Sequence, residues 1–100
     1  MSTPIQFYVL FHSPGPGWDH AKSFEDQPGI QAHVGFLRGL FEDGKLHMGG
    51  PFLDNSGGMA VLAVSSLDEA RRIGESDPTV KQGLLTVASK PWMAAFNRTG

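Results

Sequence analysis

The sequence contains no cysteine. This absence excludes disulfide bonds, thiolate nucleophiles and cysteine-ligated metal sites, and it fits a reducing compartment. The sequence also lacks any apolar stretch near the roughly 20 residues that a membrane span requires. Its first residues, Met-Ser-Thr-Pro, include neither a basic region nor an apolar run. We therefore expect no signal peptide, no membrane partner and a cytoplasmic location.

The sequence also lacks a large excess of either positive or negative charge. The chain has 8 Lys and Arg residues against 10 Asp and Glu residues, for a formal net charge of −2. No basic cluster is available to neutralise phosphates, so nucleic acid is not an expected partner. The histidines match no metal-binding spacing such as His-x-x-x-His, and we expect neither a metal nor another cofactor; they are His12, His20, His33 and His47.

The composition is typical of one small globular domain. Of the 100 residues, 40% are hydrophobic and 18% are charged. Such a chain is too short for a second core and too apolar for disorder throughout. We expect a single domain over residues 1–100, with its core at about 5–96.

Four segments have the pattern of β-strands, at residues 5–12, 45–48, 59–64 and 84–88. In the first, Ile5, Phe7, Val9 and Phe11 alternate with a second set of residues on the other face. The third strand is apolar at every position, which is typical of a strand covered on both sides. The short second strand is expected to end at Gly49-Gly50-Pro51, and the fourth at Lys90-Pro91-Trp92.

Two segments have the pattern of helices. The first runs from about Pro28 to Glu42, with Asp26 as its cap and Pro28 in its first turn. The second starts at Ser66, where Glu69 completes a capping box, and ends before Asp77-Pro78. The order βαββαβ predicts an α+β, ferredoxin-like fold with a four-stranded antiparallel sheet.

This arrangement places both helices on one face of the sheet, so the other face needs a cover. We expect that face to be apolar, because the strand at 59–64 is apolar on both sides and Tyr8 and Leu10 add to it. Large bare apolar faces mark interfaces, which predicts a homodimer joined through the sheets. The alternative is a lid formed by the tail, including Trp92 and Phe96.

A long loop at residues 13–29 is rich in Pro and Gly. Loops of this length are uncommon in compact domains and are frequently functional, although a surface excursion explains the composition equally well. Trp18 favours a functional loop, because an aromatic side chain there is suited to covering a bound small molecule. We therefore treat Trp18 as a substrate-binding residue.

His33 and Asp77 are the residues best suited to acid/base chemistry. His33 lies beside the apolar arc of the first helix, and Asp77 follows the second helix at a break imposed by Pro78. A carboxylate beside an imidazole fixes its tautomer and poises it as a general acid or base. A buried core histidine and a turn-forming aspartate are the alternatives.

The glycines at Gly49-Gly50-Pro51 allow a ligand to approach the backbone closely, which makes this segment a second substrate-binding element. Arg38, on the first helix, is interpreted as a solvated helix charge, as are the arginines of the second helix.

These residues together resemble the YCII-related (YciI-like) domain family over about residues 5–96. The resemblance depends on an ordered set of short motifs: His33-x-x-x-Leu37, Gly44-Lys45-Leu46, Gly49-Gly50-Pro51-Phe52, Gly57-Gly58, the helix start at 65–70, Asp77-Pro78 and Lys90-Pro91-Trp92.

The resemblance implies a dimeric α/β barrel whose active site contains a His and an Asp, here His33 and Asp77. Related proteins include lactone isomerases and chloromuconolactone dehalogenases, which perform acid/base chemistry on small organic acids without a cofactor. This chain departs from the family in its loop at 13–29 and in having Thr79 where an aromatic residue is common.

A cofactor-free lyase or isomerase acting on a small molecule is therefore the expected function. A non-catalytic binding or interaction module on the same fold is the alternative, and a monooxygenase is a third.

Overall fold

The computed structural model describes residues 3–98. Its elements follow the order expected from the sequence, with two additional short helices. They are β1 (Ile5–Pro14), a 3-10 helix (Phe24–Asp26), α1 (Ile30–Glu42), β2 (Leu46–Pro51), β3 (Gly58–Leu62), α2 (Leu67–Glu75), α3 (Pro78–Lys81) and β4 (Leu85–Ala94). The four strands form one antiparallel sheet in the order β2-β3-β1-β4, which confirms the ferredoxin-like prediction. Within residues 3–98, no helix combines the length and apolarity needed to cross a membrane.

The two faces of β1 have opposite roles. Leu10 is fully buried in the core beneath the helices, where it packs with Leu62 and Ala70, and Tyr8 packs against the same cluster. Phe7 and Val9 belong to a separate apolar cluster on the other face. The prediction that Tyr8 and Leu10 lie on the open face was therefore wrong. Both faces of β1 are apolar, so alternation alone does not tell which face the helices cover.

The face of the sheet opposite the helices carries an apolar cluster, which we call the open-face cluster. It comprises Phe7, Val9, Val61 and Ala94, with Ile5, Phe11 and Met59 packed against them. The tail does not cover this cluster: Phe96 is 96% exposed, and Trp92 is part of β4 and is 46% exposed. The structure therefore contradicts the alternative in which the tail forms a lid.

The ends of the elements differ from the predicted ones where proline is present. β2 continues through Gly49-Gly50-Pro51, and β4 continues through Pro91 to Ala94. Both are edge strands, where a residue without an N–H is tolerated. α1 begins at Ile30, two residues later than predicted. Asp26 is not its cap, because the Asp26 carboxylate accepts a hydrogen bond from Ser23 in the 3-10 segment.

The segment at 13–29 is tied firmly to the domain. The N–H of Gly15 donates to the Leu84 carbonyl, and the N–H of Gly17 donates to the Gly83 carbonyl, both at 2.9 Å. A Cβ on Gly15 would lie 2.3 Å from the Gly83 carbonyl oxygen, so this approach requires glycine. The buried Gln27 amide group joins the segment internally through hydrogen bonds to the backbone of Asp19. The segment is thus anchored to the domain at these points and through three buried side chains, although most of its residues are exposed; the buried ones are Trp18, Phe24 and Gln27.

The junction between α2 and α3 positions the carboxylate of the candidate site. Ser66 caps α2 as predicted, since its Oγ accepts a hydrogen bond from the N–H of Glu69. Asp77 is the N-cap of the short helix α3, which was not predicted, and Pro78 occupies its first turn. The interpretation of Asp77 as a cap is therefore correct, but it describes only one of the two carboxylate oxygens.

Candidate active site

His33 and Asp77 lie in direct contact in the folded chain. Nδ1 of His33 is 2.5 Å from Oδ2 of Asp77, and both side chains are buried. His33 is on the first turns of α1, and Asp77 is 44 residues further along the chain, at the start of α3. The contact predicted from the sequence is therefore present.

The other oxygen of Asp77 is held by Thr79. Oδ1 accepts hydrogen bonds from the Thr79 N–H at 2.9 Å and from the Thr79 hydroxyl at 2.7 Å. Thr79 occupies the position where related sequences commonly have an aromatic residue, so this departure adds a hydrogen-bond donor to the site. The carboxylate is consequently fixed in both position and orientation.

Asp77 is ionised at neutral pH. Burial by itself raises the pKa of this carboxyl, but hydrogen bonds from His33 and Thr79 together hold the pKa below its ordinary value. An ionised carboxylate only accepts hydrogen bonds, so Nδ1 of His33 carries a proton and donates it to Oδ2. In a neutral His33, the lone pair is then on Nε2.

His12 is a third member of this cluster, and the sequence analysis did not identify it. It lies on β1, on the same face as Leu10, and is 3% exposed. Its Nε2 is 3.9 Å from Oδ2 of Asp77, and its ring meets the His33 ring edge to face, with centroids 4.7 Å apart. Burial, reinforced by the neighbouring His33, lowers the pKa of His12 to about 4. The alternation of β1 places His12 on the same face as Leu10. The sequence-based prediction put that face opposite the helices, away from His33 and Asp77.

The separations of the nitrogen and oxygen atoms in this cluster can be compared with those expected for a metal ion and for a hydrogen bond. The donor atoms of His12, His33 and Asp77 lie within 4.8 Å of one another, which is compatible in outline with a metal ion. Two ligands of a tetrahedral ion with bond lengths of about 2.1 Å would be roughly 3.4 Å apart. The 2.5 Å separation of Nδ1 of His33 and Oδ2 of Asp77 is shorter than this and is that of a short hydrogen bond, whereas Nε2 of His12 lies 3.9 Å from Oδ2. The expected absence of a metal stays a prediction.

A cavity of about 490 Å³ lies between α1 and β2, with His33 in its wall. Its size is within the range of small-molecule sites. Neither His12 nor Asp77 is among the residues that line it, so His33 is the member of the cluster that a bound molecule would meet. The lining residues are Phe24, His33, Val34, Leu37, Arg38, Phe41, Leu46, His47, Met48, Gly49, Gly50 and Pro51.

Three of the four predicted substrate-binding residues line this cavity. A Cβ on Gly50 would meet no atom within 4 Å, so this glycine leaves open space. A Cβ on Gly49 would lie 3.1 Å from the Met59 carbonyl oxygen, so Gly49 is needed for the close pairing with β3. Trp18 does not line the cavity. It is buried behind Phe24, with ring centroids 5.7 Å apart, and thus supports the wall from within the core.

Arg38, interpreted from the sequence as a solvated helix charge, is exposed and is also one of the lining residues. It lines the cavity together with the apolar side chains of α1. Among residues 3–98 it makes no ion pair, in contrast to Arg71, whose guanidinium is 3.9 Å from Asp68. The permanent positive charge beside the cavity is therefore not held in a direct ion pair within the described residues.

The fold and the site together define a class: a small α+β domain with a buried histidine–carboxylate pair at the wall of a largely apolar cavity. Comparison with known proteins agrees with this class. Residues 7–92 match the YCII-related domain family, and the chain belongs to this family.

Two similar proteins illustrate this membership. The uncharacterized protein YjpA of Bacillus subtilis is 39% identical over 67 residues, which cover 67% of this chain and 79% of that protein. A solved structure of 5-chloro-2-hydroxyhydroquinone dehydrochlorinase from Burkholderia phenoliruptrix, in complex with 2,5-dihydroxybenzoquinone, is 25% identical. It superposes with a TM-score of 0.65, covering 86% of this chain and 92% of that one.

Proposed function

We propose that this protein is a cofactor-free enzyme of the lyase or isomerase type that performs acid/base chemistry on a small organic acid or lactone. His33 moves the proton, and Asp77 orients His33. The observation that carries this proposal is the contact between Nδ1 of His33 and Oδ2 of Asp77 at the wall of a cavity. A location in the cytoplasm stays a prediction from the sequence.

The proposed chemistry follows from the tautomer. With Nδ1–H donated to Asp77, Nε2 of His33 accepts a proton from an acidic C–H or O–H of the bound molecule. The imidazolium that forms is stabilised by the adjacent carboxylate, and the electron pair left on the substrate either expels a leaving group or shifts to a neighbouring carbon. Return of the proton from Nε2 to the product or to water restores the starting state.

The cavity suits a compact, mostly apolar molecule with one anionic group. Phe24, Leu37 and Phe41 contribute apolar surface, and Arg38 supplies a positive charge that is not held in a direct ion pair within the described residues. The similar structure from Burkholderia phenoliruptrix is, by its description, a dehydrochlorinase bound to a small cyclic molecule. That description concerns the neighbour, but it supports a lyase-type reaction on a small ring here.

The proposal includes a homodimer joined through the open-face cluster. Phe7, Val9 and Val61 form the apolar centre of this face and are 7%, 3% and 3% exposed in the single chain, whereas Trp92, which stacks on Phe7, is 46% exposed. A second copy would bury the exposed Trp92 beside this cluster and close the sheet face. The cavity shares Met48, Gly49, Gly50 and Pro51 with a second pocket that reaches Val61 of the open-face cluster, so a second copy would lie close to the cavity.

A deuterium-exchange experiment separates an enzyme from a binding module. Small carboxylic acids, phenols and lactones are first screened for thermal stabilisation of the protein. The hits are then incubated with the protein in D₂O, and loss of the acidic C–H signal is followed by NMR. We expect exchange with the wild type and none with His33→Gln. Binding without exchange in either protein would favour the alternative, a non-catalytic binding module.

A further inference from the structure

One buried polar atom has no role in the proposed chemistry. Within residues 3–98, Nε2 of His12 is the only fully buried side-chain nitrogen or oxygen without a hydrogen-bond partner. Leaving such a group unpaired has a free-energy cost. A replacement by an apolar ring of similar size would avoid this cost, so the atom calls for an explanation in terms of its neighbours.

The nearest ionised group to this atom is Asp77. The Oδ1 atom of Asp77 is occupied by two donors, both from Thr79. Its Oδ2 atom has one donor, Nδ1 of His33, and therefore keeps the capacity for a second. Nε2 of His12 lies 3.9 Å from this oxygen.

The protonation state of His12 is also defined. Its pKa of about 4 leaves the ring neutral at pH 7, with a proton on one nitrogen only. A negative charge 3.9 Å from Nε2 favours the tautomer with Nε2–H, because the positive end of the N–H dipole then points at the carboxylate. The opposite tautomer would direct a lone pair at the same charge.

We propose that His12 is a positioning residue, whose Nε2–H directed at Oδ2 of Asp77 keeps that carboxylate ionised and bonded to Nδ1–H of His33. Nε2 of His33 is thereby reserved for the molecule in the cavity. This inference rests on the proposed function of the His33–Asp77 pair, and it adds a third residue that acts through Asp77.

The ring of His12 also makes a packing contact that must be separated from this electrostatic role. The His33 ring has edge contacts with both His12, at 4.7 Å, and Phe24, at 6.1 Å between centroids. His12→Phe retains an aromatic ring for this contact and removes the N–H. His12→Gln removes the ring and retains an N–H donor at a similar reach.

The tautomers can be measured directly by two-bond ¹H–¹⁵N correlation NMR of the histidine rings at pH 7. In the wild type we expect Nε2–H on His12 and Nδ1–H on His33. An Nδ1–H tautomer at His12 would overturn the proposal without recourse to any variant. His20 and His47, which are exposed, serve as internal references.

The two His12 variants test whether the Nε2–H donor of His12 determines the tautomer of His33 and the rate of exchange. In His12→Phe we expect His33 to become a mixture of tautomers, and deuterium exchange of a bound ligand to slow by roughly 10-fold, as for outer-shell partners of other functional histidines. His12→Gln should restore both. If folded His12→Phe keeps the wild-type His33 tautomer and exchange rate, His12 is only a core residue.

Two further outcomes are distinguishable. Stabilisation of the wild type by Zn²⁺ that is lost in His12→Phe would overturn the proposal in favour of a metal centre. If the tautomer pattern holds and depends on His12, but no ligand exchanges in the wild type, then the positioning inference stands and the proposed enzymatic function fails.

Discussion

The two faces of the sheet are both apolar, yet they differ in their polar content. The helix-covered face has Leu10 and Leu62 in its core, and it also buries His12, His33 and Asp77 side by side. The buried members of the open-face cluster are all apolar. Buried polar groups are costly unless they are satisfied, so their concentration on one face supports the proposal that this face carries the chemistry. The other face is suited to assembly.

Substitutions at the neighbouring residues Leu62 and Val61 test the difference between the two faces most strongly, because their side chains point to opposite faces. Leu62→Glu places an unpaired charge in a fully buried position beneath the helices, at a cost of several kcal/mol, and we expect the chain to lose cooperative unfolding. Val61→Glu places the charge in the open-face cluster. Val61 is 3% exposed in the single chain, so we expect this variant to lose the dimer and also some stability of the 10.8 kDa monomer, but less than Leu62→Glu.

Circular dichroism and light scattering measure the two outcomes separately. A compact wild-type monomer at micromolar concentration would remove the dimer from the proposal. Equal loss of folding in both variants would show that the open face is part of the monomer's own core.

On the helix-covered face, the buried His12 makes the stability of the protein depend on pH. This residue binds a proton near pH 6.5 when unfolded but only near pH 4 when folded. Between these pH values the unfolded state binds more protons than the folded state. The contribution of His12 to the free energy of unfolding is therefore fully present above pH 6.5 and is lost as pH falls to 4. The size is about 3 kcal/mol. Urea unfolding of the wild type and His12→Phe from pH 7 to pH 4 should show a smaller acid-side loss in the variant; parallel curves would contradict the assignment.

Asp77 adds a smaller effect at lower pH. Its pKa is held below the ordinary value, so the stability it contributes is present above the unfolded pKa and lost as pH falls through the folded one. Asp77→Asn can still cap α3 through its amide oxygen, but it presents no charge to His33. We expect a loss of about 1–3 kcal/mol at pH 7, measured by urea unfolding. Thr79→Val removes only the hydroxyl donor to Oδ1 and should cost less.

The sequence predicts the order of elements because the information is local. Ser66 and Glu69 form a cap within one turn, and the alternation of β1 lies within ten residues. The contact of His33 with Asp77 was also anticipated, from the positions of the two residues and from the family resemblance. This contact required only that the end of the second helix lie near the face of the first helix.

The features that were missed depend on tertiary arrangement. Pro51 and Pro91 are compatible with strands only because β2 and β4 are at the edges of the sheet, which local patterns do not reveal. His12 was overlooked because its face could not be assigned while both faces of β1 were apolar. Trp18 was placed at the substrate, but the hydrogen bonds of the 13–29 segment direct it into the core behind Phe24.

The smallest expected effect concerns Arg38, which distinguishes the cavity from the uncharged open-face cluster. A carboxylate in the cavity would gain about 1 kcal/mol from this exposed guanidinium, or roughly a fivefold difference in affinity. Benzoate and benzamide are suitable probes, because they share a ring and differ in charge. We expect Arg38→Gln to weaken benzoate binding in calorimetry and to leave benzamide binding unchanged. Arg71→Gln, on α2 and away from the cavity lining, is the matched control and should change neither. Equal weakening of both ligands by Arg38→Gln would mean that the side chain shapes the cavity without selecting for charge, and the organic-acid part of the proposed substrate class would have to be abandoned.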